Sequence, residues 1–377
     1  PWAMPPNANN QVIKDGCEKL GYAWHIIPRN VRGCWNLGYC GMGCPVNAKQ
    51  SMLVTTIPAT LDKGGALLYL ARAERLIHDG DRVTGLECLG MDERAVAPNG
   101  RRIMVKARHY VLAGGGINSP ALLLRSQAPD PHERVGKRTF LHLVNFSAAQ
   151  FEQVINPFYG APQSVYSDHF QWDDGTAGRM SYKLEVPPLQ PALAATLLGR
   201  FGVDNALRME QLPHTNVMLA LMRDGFHPDS AEGSVELRGD GTPVLDYRMT
   251  DYTWDGLRRA FHSMAEIQFA AGAKAVLPIH AAAEYVKSPA EARALIDRLE
   301  LRLFQTRLGS AHVMGGCAMG EDAKSAVTDS LGRHHQLENL SIHDGSLFPT
   351  SIGANPQLSI YGLTAKLATL LAERLKA

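Results

Sequence analysis

The spacing of apolar and polar side chains changes period several times along the chain, and each change predicts a different secondary structure. Apolar residues at helical spacing predict helices over 9–20, 50–63, 252–271 and 289–303. Short runs of strand-forming residues predict strands over 66–70, 72–77, 83–89 and 102–112. The Asp79-Gly80-Asp81 turn lies between two of these runs, so 72–77 and 83–89 are expected to pair as a hairpin.

The pattern changes in the middle of the chain. Aromatic and polar residues alternate over 140–302, and Gly239-Asp240-Gly241 is a second hairpin turn. This alternation predicts an antiparallel sheet with helices on one face. Glycine-rich, apolar segments flank it on both sides. We therefore expect a discontinuous domain made of 1–139 and 303–377, with a second domain over 140–302. Three independent domains are the alternative.

Two glycine-rich segments each lead from a strand into a helix. In VLAGGGINSPALLLRS, residues 111–126, Ser119 and Pro120 have the chemistry of an N-cap and a first helical residue. In the segment 344–375, Asn355 and Pro356 form a similar pair. Helix starts present free backbone N–H groups that attract anions, so the first segment is a candidate nucleotide contact.

These segments resemble signatures of the glucose–methanol–choline (GMC) flavin oxidoreductases. The stretch GSAHVMGGCAMG, residues 309–320, resembles the catalytic histidine loop of that family, although Gly316 stands where Thr is commoner. The resemblance implies an FAD-dependent oxidoreductase that oxidises a CH–OH donor (an alcohol, sterol or sugar) by hydride transfer to flavin N5. It implies that His312 is the base and that Asn355 positions the substrate oxygen. Histidine suits this role because its pKa lies near neutrality.

The same resemblance assigns cofactor-binding residues. It implies that Ala113, Gly114 and Gly115 line the ADP half of FAD, and that Asp344 lies near the ribityl chain or pyrophosphate. The remaining residues that it places around the flavin are Ala73, Gly345, Asn355, Pro356 and Gln357.

The dinucleotide fingerprint of the family is missing from the sequence. No strand-G-x-G-x-x-G-helix unit followed by an acidic residue occurs anywhere in the chain. The predicted fold is therefore α/β (α+β): a GMC-like FAD-binding domain, discontinuous and N-terminally incomplete, plus an antiparallel-sheet substrate domain. A missing N-terminal segment or a second chain is expected to supply the rest. Two alternatives to the enzyme stay open: a truncated, non-catalytic chain acting in binding or assembly, and a lyase on the same fold.

Three of the six cysteines cluster as Cys34-x5-Cys40-x3-Cys44. Their spacing resembles the [3Fe–4S] loop of flavin sugar dehydrogenases with a GMC-type catalytic subunit. With such a cluster, electrons would pass singly to a quinone or haem partner. If the three thiols are buried or form one disulfide, oxygen or a soluble acceptor must reach the flavin itself. The sequence leaves both interpretations open.

Charge and hydropathy exclude other classes of function. Lys and Arg total 38 against 37 acidic residues, which gives a net charge of +1. A balanced charge without a basic run argues against nucleic acid as a partner. The family resemblance implies a small-molecule alcohol as the ligand. No apolar stretch long enough to span a membrane and no signal peptide are visible, so the cytoplasm is the default location. The N-terminus looks truncated, which leaves localisation unknown.

Overall fold

The computed structural model describes residues 2–172, 174–230 and 232–376. Its α-helices are α1 (Ala8–Leu20), α2 (Thr56–Asp62), α3 (Gly115–Arg125), α4 (Pro191–Leu197), α5 (Gly202–Glu210), α6 (Asp251–Ala270), α7 (Pro289–Arg298) and α8 (Gln357–Lys376). Its strands are β1 (Trp2–Ala3), β2 (His25–Ile26), β3 (Pro28–Arg29), β4 (Ala71–Asp79), β5 (Arg82–Met91), β6 (Pro98–Val105), β7 (Tyr110–Leu112), β8 (Thr139–Leu141), β9 (Val144–Gln150), β10 (Val165–Ser167), β11 (Tyr182–Glu185), β12 (Thr215–Met222), β13 (Gly233–Leu237), β14 (Pro243–Tyr247), β15 (Ala275–Pro278), β16 (Val313–Gly315) and β17 (Leu340–Ile342). The predicted mixture of helices with antiparallel sheets is confirmed.

The chain divides into two compact units, each built from three segments. Unit one contains Pro1–Ala66, Leu143–Arg223 and Asp251–Gly309. Unit two contains Leu67–His142, Asp224–Thr250 and Ser310–Ala377. Both units are discontinuous, whereas the sequence predicted one discontinuous domain. The assignment of cofactor and substrate to particular domains stays a prediction.

Unit one is organised around a six-stranded antiparallel sheet in the order β15-β9-β12-β11-β10-β2. Neighbouring residues of β12 face opposite sides of this sheet. Asn216 donates to the Asn9 side chain of α1 at 2.8 Å, whereas Val217 belongs to an apolar cluster that includes Ala194 of α4. Helices therefore cover both faces of the sheet, and the prediction of helices on one face only was wrong.

The close packing of α1 against α6 depends on a glycine. A Cβ built on Gly16 would lie 2.3 Å from the carbonyl oxygen of Ile267. At this position the two helices lie too close together for residue 16 of α1 to carry a side chain.

Unit two combines three small sheets around one apolar core. The sheets are β14-β13-β8-β16, the parallel pair β17-β7, and β4-β5-β6. Leu123 of α3, Leu340 and Ile342 of β17, and Leu367 of α8 are buried in this core. The core thus holds α3 and α8 against the parallel pair, and this arrangement fixes the loops that follow β7 and β17.

Both predicted hairpins are confirmed. β4 and β5 flank the Asp79-Gly80-Asp81 turn and pair antiparallel. β13 and β14 pair antiparallel around Gly239-Asp240-Gly241. Each hairpin is local in sequence, so alternation and turn residues were enough to predict it.

Three other predicted elements are altered. Residues 66–70 form no strand, and Leu67, Leu68 and Tyr69 are 55%, 57% and 74% exposed. The predicted helix over 50–63 is reduced to α2, in which no residue is buried, so packing does not extend it. The predicted strand over 102–112 is divided between β6, which pairs with β5, and β7, which pairs with β17.

Candidate functional site

The carboxyl ends of β7 and β17 bring two glycine-rich loops of unit two together. The strands run parallel, with Leu112 opposite Ile342. The loop after β7 contains Ala113, Gly114 and Gly115, and the loop after β17 contains Asp344 and Gly345. In parallel sheets the ends of neighbouring strands are a common place for ligands. These predicted cofactor residues therefore lie close together.

Asp344 joins the two loops. Its Oδ2 accepts the Gly115 N–H at 2.9 Å and the Ser119 hydroxyl at 2.5 Å. Its Oδ1 accepts the Ser346 N–H at 2.8 Å and the Ser346 hydroxyl at 2.5 Å. The carboxylate is buried and its hydrogen bonds are made within the chain. It also lies at the N-terminus of α3, where a negative charge is stabilised.

The start of α3 differs from the prediction. The helix begins at Gly115, so Ser119 and Pro120 lie inside its first turns and do not open it. The Ser119 hydroxyl accepts the Gly114 N–H at 2.9 Å. A side chain inside the helix thus provides the acceptor for a backbone N–H group just before the helix begins. The N–H groups of Gly114 and Gly115 are both occupied by side chains of the protein. A cofactor contact at these glycines therefore does not use these two donors.

The structure also leaves features that a cofactor would use. Gly115 has φ +78° and nothing lies within 4 Å of a Cβ built on it, so open space adjoins this backbone. His343, whose N–H donates to the Leu112 carbonyl at 2.8 Å, lies beside the same strand end. Its Nε2 is buried and has no hydrogen-bond partner among the described residues. Burial lowers the pKa of His343, which favours the neutral ring.

The loop of His312 adjoins both glycine segments. A Cβ built on Gly116 would lie 2.9 Å from the Val313 carbonyl oxygen, and one on Gly345 would lie 3.5 Å from the same oxygen. His312 immediately precedes Val313, at the start of β16. At Gly116 the approach is too close for a side chain, whereas at Gly345 it is an ordinary van der Waals contact. The histidine loop thus packs against both glycine segments that contain predicted cofactor residues.

A second histidine contacts His312. The Nδ1 atoms of His142 and His312 are 3.1 Å apart, and the rings meet at 84° with centroids 5.2 Å apart. His142 is buried, whereas His312 is half-buried. β16 pairs antiparallel with β8, with Val313 opposite Leu141, so the next position places His312 opposite His142. Sequence reasoning missed His142 because no local signal pairs strands so distant in sequence.

The predicted residues around α8 lie in a segment tied down by hydroxyl groups. Ser351 donates to the Asp224 carbonyl, and Thr350 donates to the Gly225 carbonyl. α8 begins at Gln357, and the Pro356 carbonyl accepts the Ile360 N–H at 2.9 Å. Pro356 therefore precedes the first helical residue, and the cap at Asn355 stays a prediction.

Asp224 is itself a buried acid. The Tyr247 hydroxyl donates to its carboxylate, and the Gly225 N–H donates to its Oδ1 at 2.9 Å. Burial raises the pKa of Asp224 to about 6, although these hydrogen bonds oppose the rise. The carboxyl group therefore changes charge close to neutral pH, next to the segment that leads to Asn355.

Ala73 lies apart from the glycine loops. Its carbonyl accepts a hydrogen bond from Arg125 at 3.3 Å. Arg125 is the last residue of α3 and Gly115 the first, so about 15 Å of helix separates them. Gln357 donates to the Tyr361 hydroxyl at 2.6 Å, one turn further along α8. The cofactor roles of both residues stay predictions.

The cysteine loop lies in unit one, and its thiols accept separate hydrogen bonds. Cys34 accepts the Asn36 N–H at 3.4 Å, and Cys40 accepts from Arg29 at 3.5 Å. Burial disfavours the thiolate of Cys44, but backbone N–H groups around Ala48 outweigh it and lower its pKa.

All six cysteines are free thiols, so the disulfide interpretation was wrong. Within 2–172, 174–230 and 232–376, His, Cys, Asp and Glu side chains form no group of three that could hold a metal ion. The [3Fe–4S] hypothesis for Cys34, Cys40 and Cys44 therefore has no structural support.

Among the helices in the described part of the chain, none has both the length and the apolar character needed to cross a bilayer.

Comparison with known proteins gives two matches to one family. The N-terminal profile of the GMC oxidoreductases matches residues 1–144, and the C-terminal profile matches residues 228–364. The chain is 27% identical to an uncharacterized GMC-type oxidoreductase of Mycobacterium tuberculosis over 96% of its own length and 54% of the relative. It is also 27% identical to a long-chain-alcohol oxidase of Arabidopsis thaliana, over 97% of this chain and 50% of that protein. The chain thus spans about half the length of these relatives.

A solved structure supports the fold. The crystal structure of pyridoxine 4-oxidase from Mesorbium loti superposes with a TM-score of 0.64 at 18% identity. The match covers 99% of this chain and 71% of that one. At this identity the similarity supports the architecture, and it leaves the substrate open.

Proposed function

The chain belongs to the GMC oxidoreductase family, and on this premise we propose that it is an FAD-dependent oxidoreductase acting on the CH–OH group of a small-molecule alcohol. The observation that carries the proposal is the convergence in unit two of the His312 loop with the glycine loops after β7 and β17. When bound, FAD supplies the acceptor that takes the hydride from the carbinol carbon at flavin N5.

His312 is the proposed base. Oxidation of an alcohol releases the hydroxyl proton together with the hydride, so a group near the oxygen must accept that proton. The Nδ1 of His312 faces His142, and we propose that Nε2 is the nitrogen that meets the substrate. General base catalysis of this kind typically contributes about 10²–10⁴-fold to the rate.

Asn355 is the proposed orienting residue. It follows a segment that Thr350 and Ser351 anchor to the backbone of unit two. An amide side chain donates to the alcohol oxygen and holds the carbon in one orientation, which lowers the entropic part of the barrier.

The chain's own residues fit FAD at the end of the parallel strands. The open space at Gly115 admits a ligand against the backbone, and His343 offers a buried ring nitrogen for a phosphate or ribityl oxygen. Asp344 holds the two loops together, and its carboxylate accepts hydrogen bonds from Gly115, Ser119 and Ser346. It therefore shapes the site without being a free acceptor.

The substrate and the electron acceptor are inferred from relatives. The names of the similar proteins refer to long-chain alcohols and to pyridoxine, which share a primary carbinol group. We infer a primary alcohol as substrate. Both proteins are named oxidases, which favours oxygen as the acceptor over a quinone or haem partner.

The experiment is anaerobic stopped-flow reduction of the FAD-loaded protein by long-chain primary alcohols and by pyridoxine. We expect the wild type to lose its flavin absorbance, and His312→Ala to slow this by about 10²–10⁴-fold while retaining flavin. His132→Ala, which alters an exposed histidine, is the matched control. Equal reduction rates in wild type and His312→Ala would contradict the base assignment. A flavin-loaded wild type that no tested alcohol reduces would contradict the proposed substrate.

A further inference from the structure

The contact between His142 and His312 restricts the protonation of both rings. Two nitrogens 3.1 Å apart form a hydrogen bond only when one carries a proton and the other offers a lone pair. In a neutral pair, therefore, one ring is protonated at Nδ1 and the other at Nε2. The bond at one ring nitrogen decides which tautomer a histidine adopts.

The two arrangements differ in what they leave at the second nitrogen of His312. If His142 is the donor, His312 carries its proton on Nε2 and cannot accept another there. If His312 is the donor, its Nε2 keeps a lone pair. Only this arrangement also suits the protonated state, because the imidazolium keeps its Nδ1–H bond to His142 without any ring movement.

We propose that His142 is a positioning residue that accepts the Nδ1–H of His312 and thereby keeps the Nε2 lone pair of His312 available for the substrate's hydroxyl proton. This rests on the proposed function. The position of His142 suits the role, because it is buried and lies directly across the β8–β16 pair from its partner. The antiparallel register thus fixes the ring that selects the tautomer.

Nitrogen-15 NMR of histidine-labelled protein without flavin tests the tautomer independently of activity. Two histidines serve as internal references. His280 accepts a backbone N–H at its Nδ1 at 3.1 Å, so it is protonated at Nε2. His214 has its Nδ1 3.1 Å from a backbone carbonyl oxygen, so it is protonated at Nδ1. We expect the ring pattern of His312 to match His214, and the pattern of His142 to match His280.

Substitutions of His142 separate tautomer control from packing. In His142→Asn the amide oxygen can still accept near the former Nδ1, whereas His142→Phe keeps an aromatic ring but offers no acceptor. We expect His312 to stay protonated at Nδ1 in the Asn variant and to gain Nε2–H in the Phe variant. Flavin reduction should fall roughly 10²-fold or more in the Phe variant and less than about tenfold in the Asn variant, with alcohol affinity unchanged in both.

The outcomes are distinct. A wild-type His312 that matches His280 would overturn the inference, as would a Phe variant with an unchanged His312 tautomer. If the tautomers are as expected but alcohol reduces no flavin, the assignment of His142 as the acceptor of the His312 Nδ1–H stands and the proposed function fails. Should the Phe variant not fold, the wild-type and Asn spectra still decide the question.

Discussion

Replacing Asp344 with Asn isolates the contribution of one carboxylate to the geometry of the site. The Asp344 carboxylate accepts four hydrogen bonds, from Gly115, Ser119 and twice from Ser346. Asparagine keeps one accepting oxygen and turns the other into an NH₂ group that faces two donors. Two buried donors thus lose their acceptor. At about 1.5 kcal/mol for each bond to a charged group, the local cost is about 3 kcal/mol.

Hydrogen exchange is the appropriate assay. Exchange is measured peptide by peptide, so it reports directly on the loops of unit two. Peptides covering 113–119 and 344–348 should lose about 3 kcal/mol of protection in Asp344→Asn. Asp240→Asn is the matched control, because Asp240 accepts two hydrogen bonds from Thr242 in an exposed turn. Its exchange in these peptides should equal that of the wild type.

A double-mutant cycle tests whether the loss passes through the named bond. Ser119→Ala and Ser346→Ala should each reduce protection in the wild type. The one whose hydroxyl faces the new NH₂ group should cost about 1.5 kcal/mol less in the Asp344→Asn background, because that donor has then lost its acceptor. Protection within about 0.5 kcal/mol of wild type in Asp344→Asn would refute the reasoning, since distant surface changes alone have effects of that size.

Three further predictions concern other parts of the chain. The pKa of Asp224 is raised from 3.8 to about 6, so the folded state binds this proton more tightly, and the stability that the group contributes is lost as pH rises from about 4 to 6. In urea unfolding, the free energy of the wild type relative to Asp224→Asn should fall by roughly 3 kcal/mol across that range. Parallel pH curves for the two proteins would contradict this. Gly115→Ala should lower the stability of the fold by about 1–2 kcal/mol in calorimetry and weaken FAD binding in a flavin titration, because φ at this position is +78°. Gly239→Ala, which adds its methyl group in open space at an ordinary φ, should change neither quantity. The lowered pKa of Cys44 should make it react with iodoacetamide before Cys17, whose pKa burial raises to about 11; mass spectrometry that finds Cys17 labelled first would count against this.

Local features of the fold could be predicted from the sequence, and non-local ones could not. The β4–β5 hairpin is predicted by two runs of strand-forming residues with a turn sequence between them. The whole signal lies within about 20 consecutive residues. The start of α3 was misjudged because Ser119 has the chemistry of a cap, and its hydroxyl instead satisfies Gly114 from inside the helix. The apolar run over 66–70 predicts a strand, but a strand forms only beside a neighbouring strand, which composition does not reveal.

The candidate site shows the same difference between local features, which the sequence predicts, and non-local features, which it does not. Short motifs carry His312 and Asp344, so both could be predicted as site residues from the sequence, and their roles stay predictions. His142 was missed, since its significance arises only when β8 lies beside β16. The contact joins residues 170 positions apart. No periodicity or turn signal in the sequence encodes such a contact.

The bond between Gly115 and Asp344 has a consequence for how the protein is made. Its two ends are 229 positions apart in sequence. At the usual translation rate of 5–20 residues per second, roughly 10–50 s pass between the synthesis of Gly115 and the synthesis of Asp344. During that interval the edge of β7 has not yet met β17, and an unpaired strand edge invites wrong association. Nascent chains should therefore depend on chaperones until the last strand emerges.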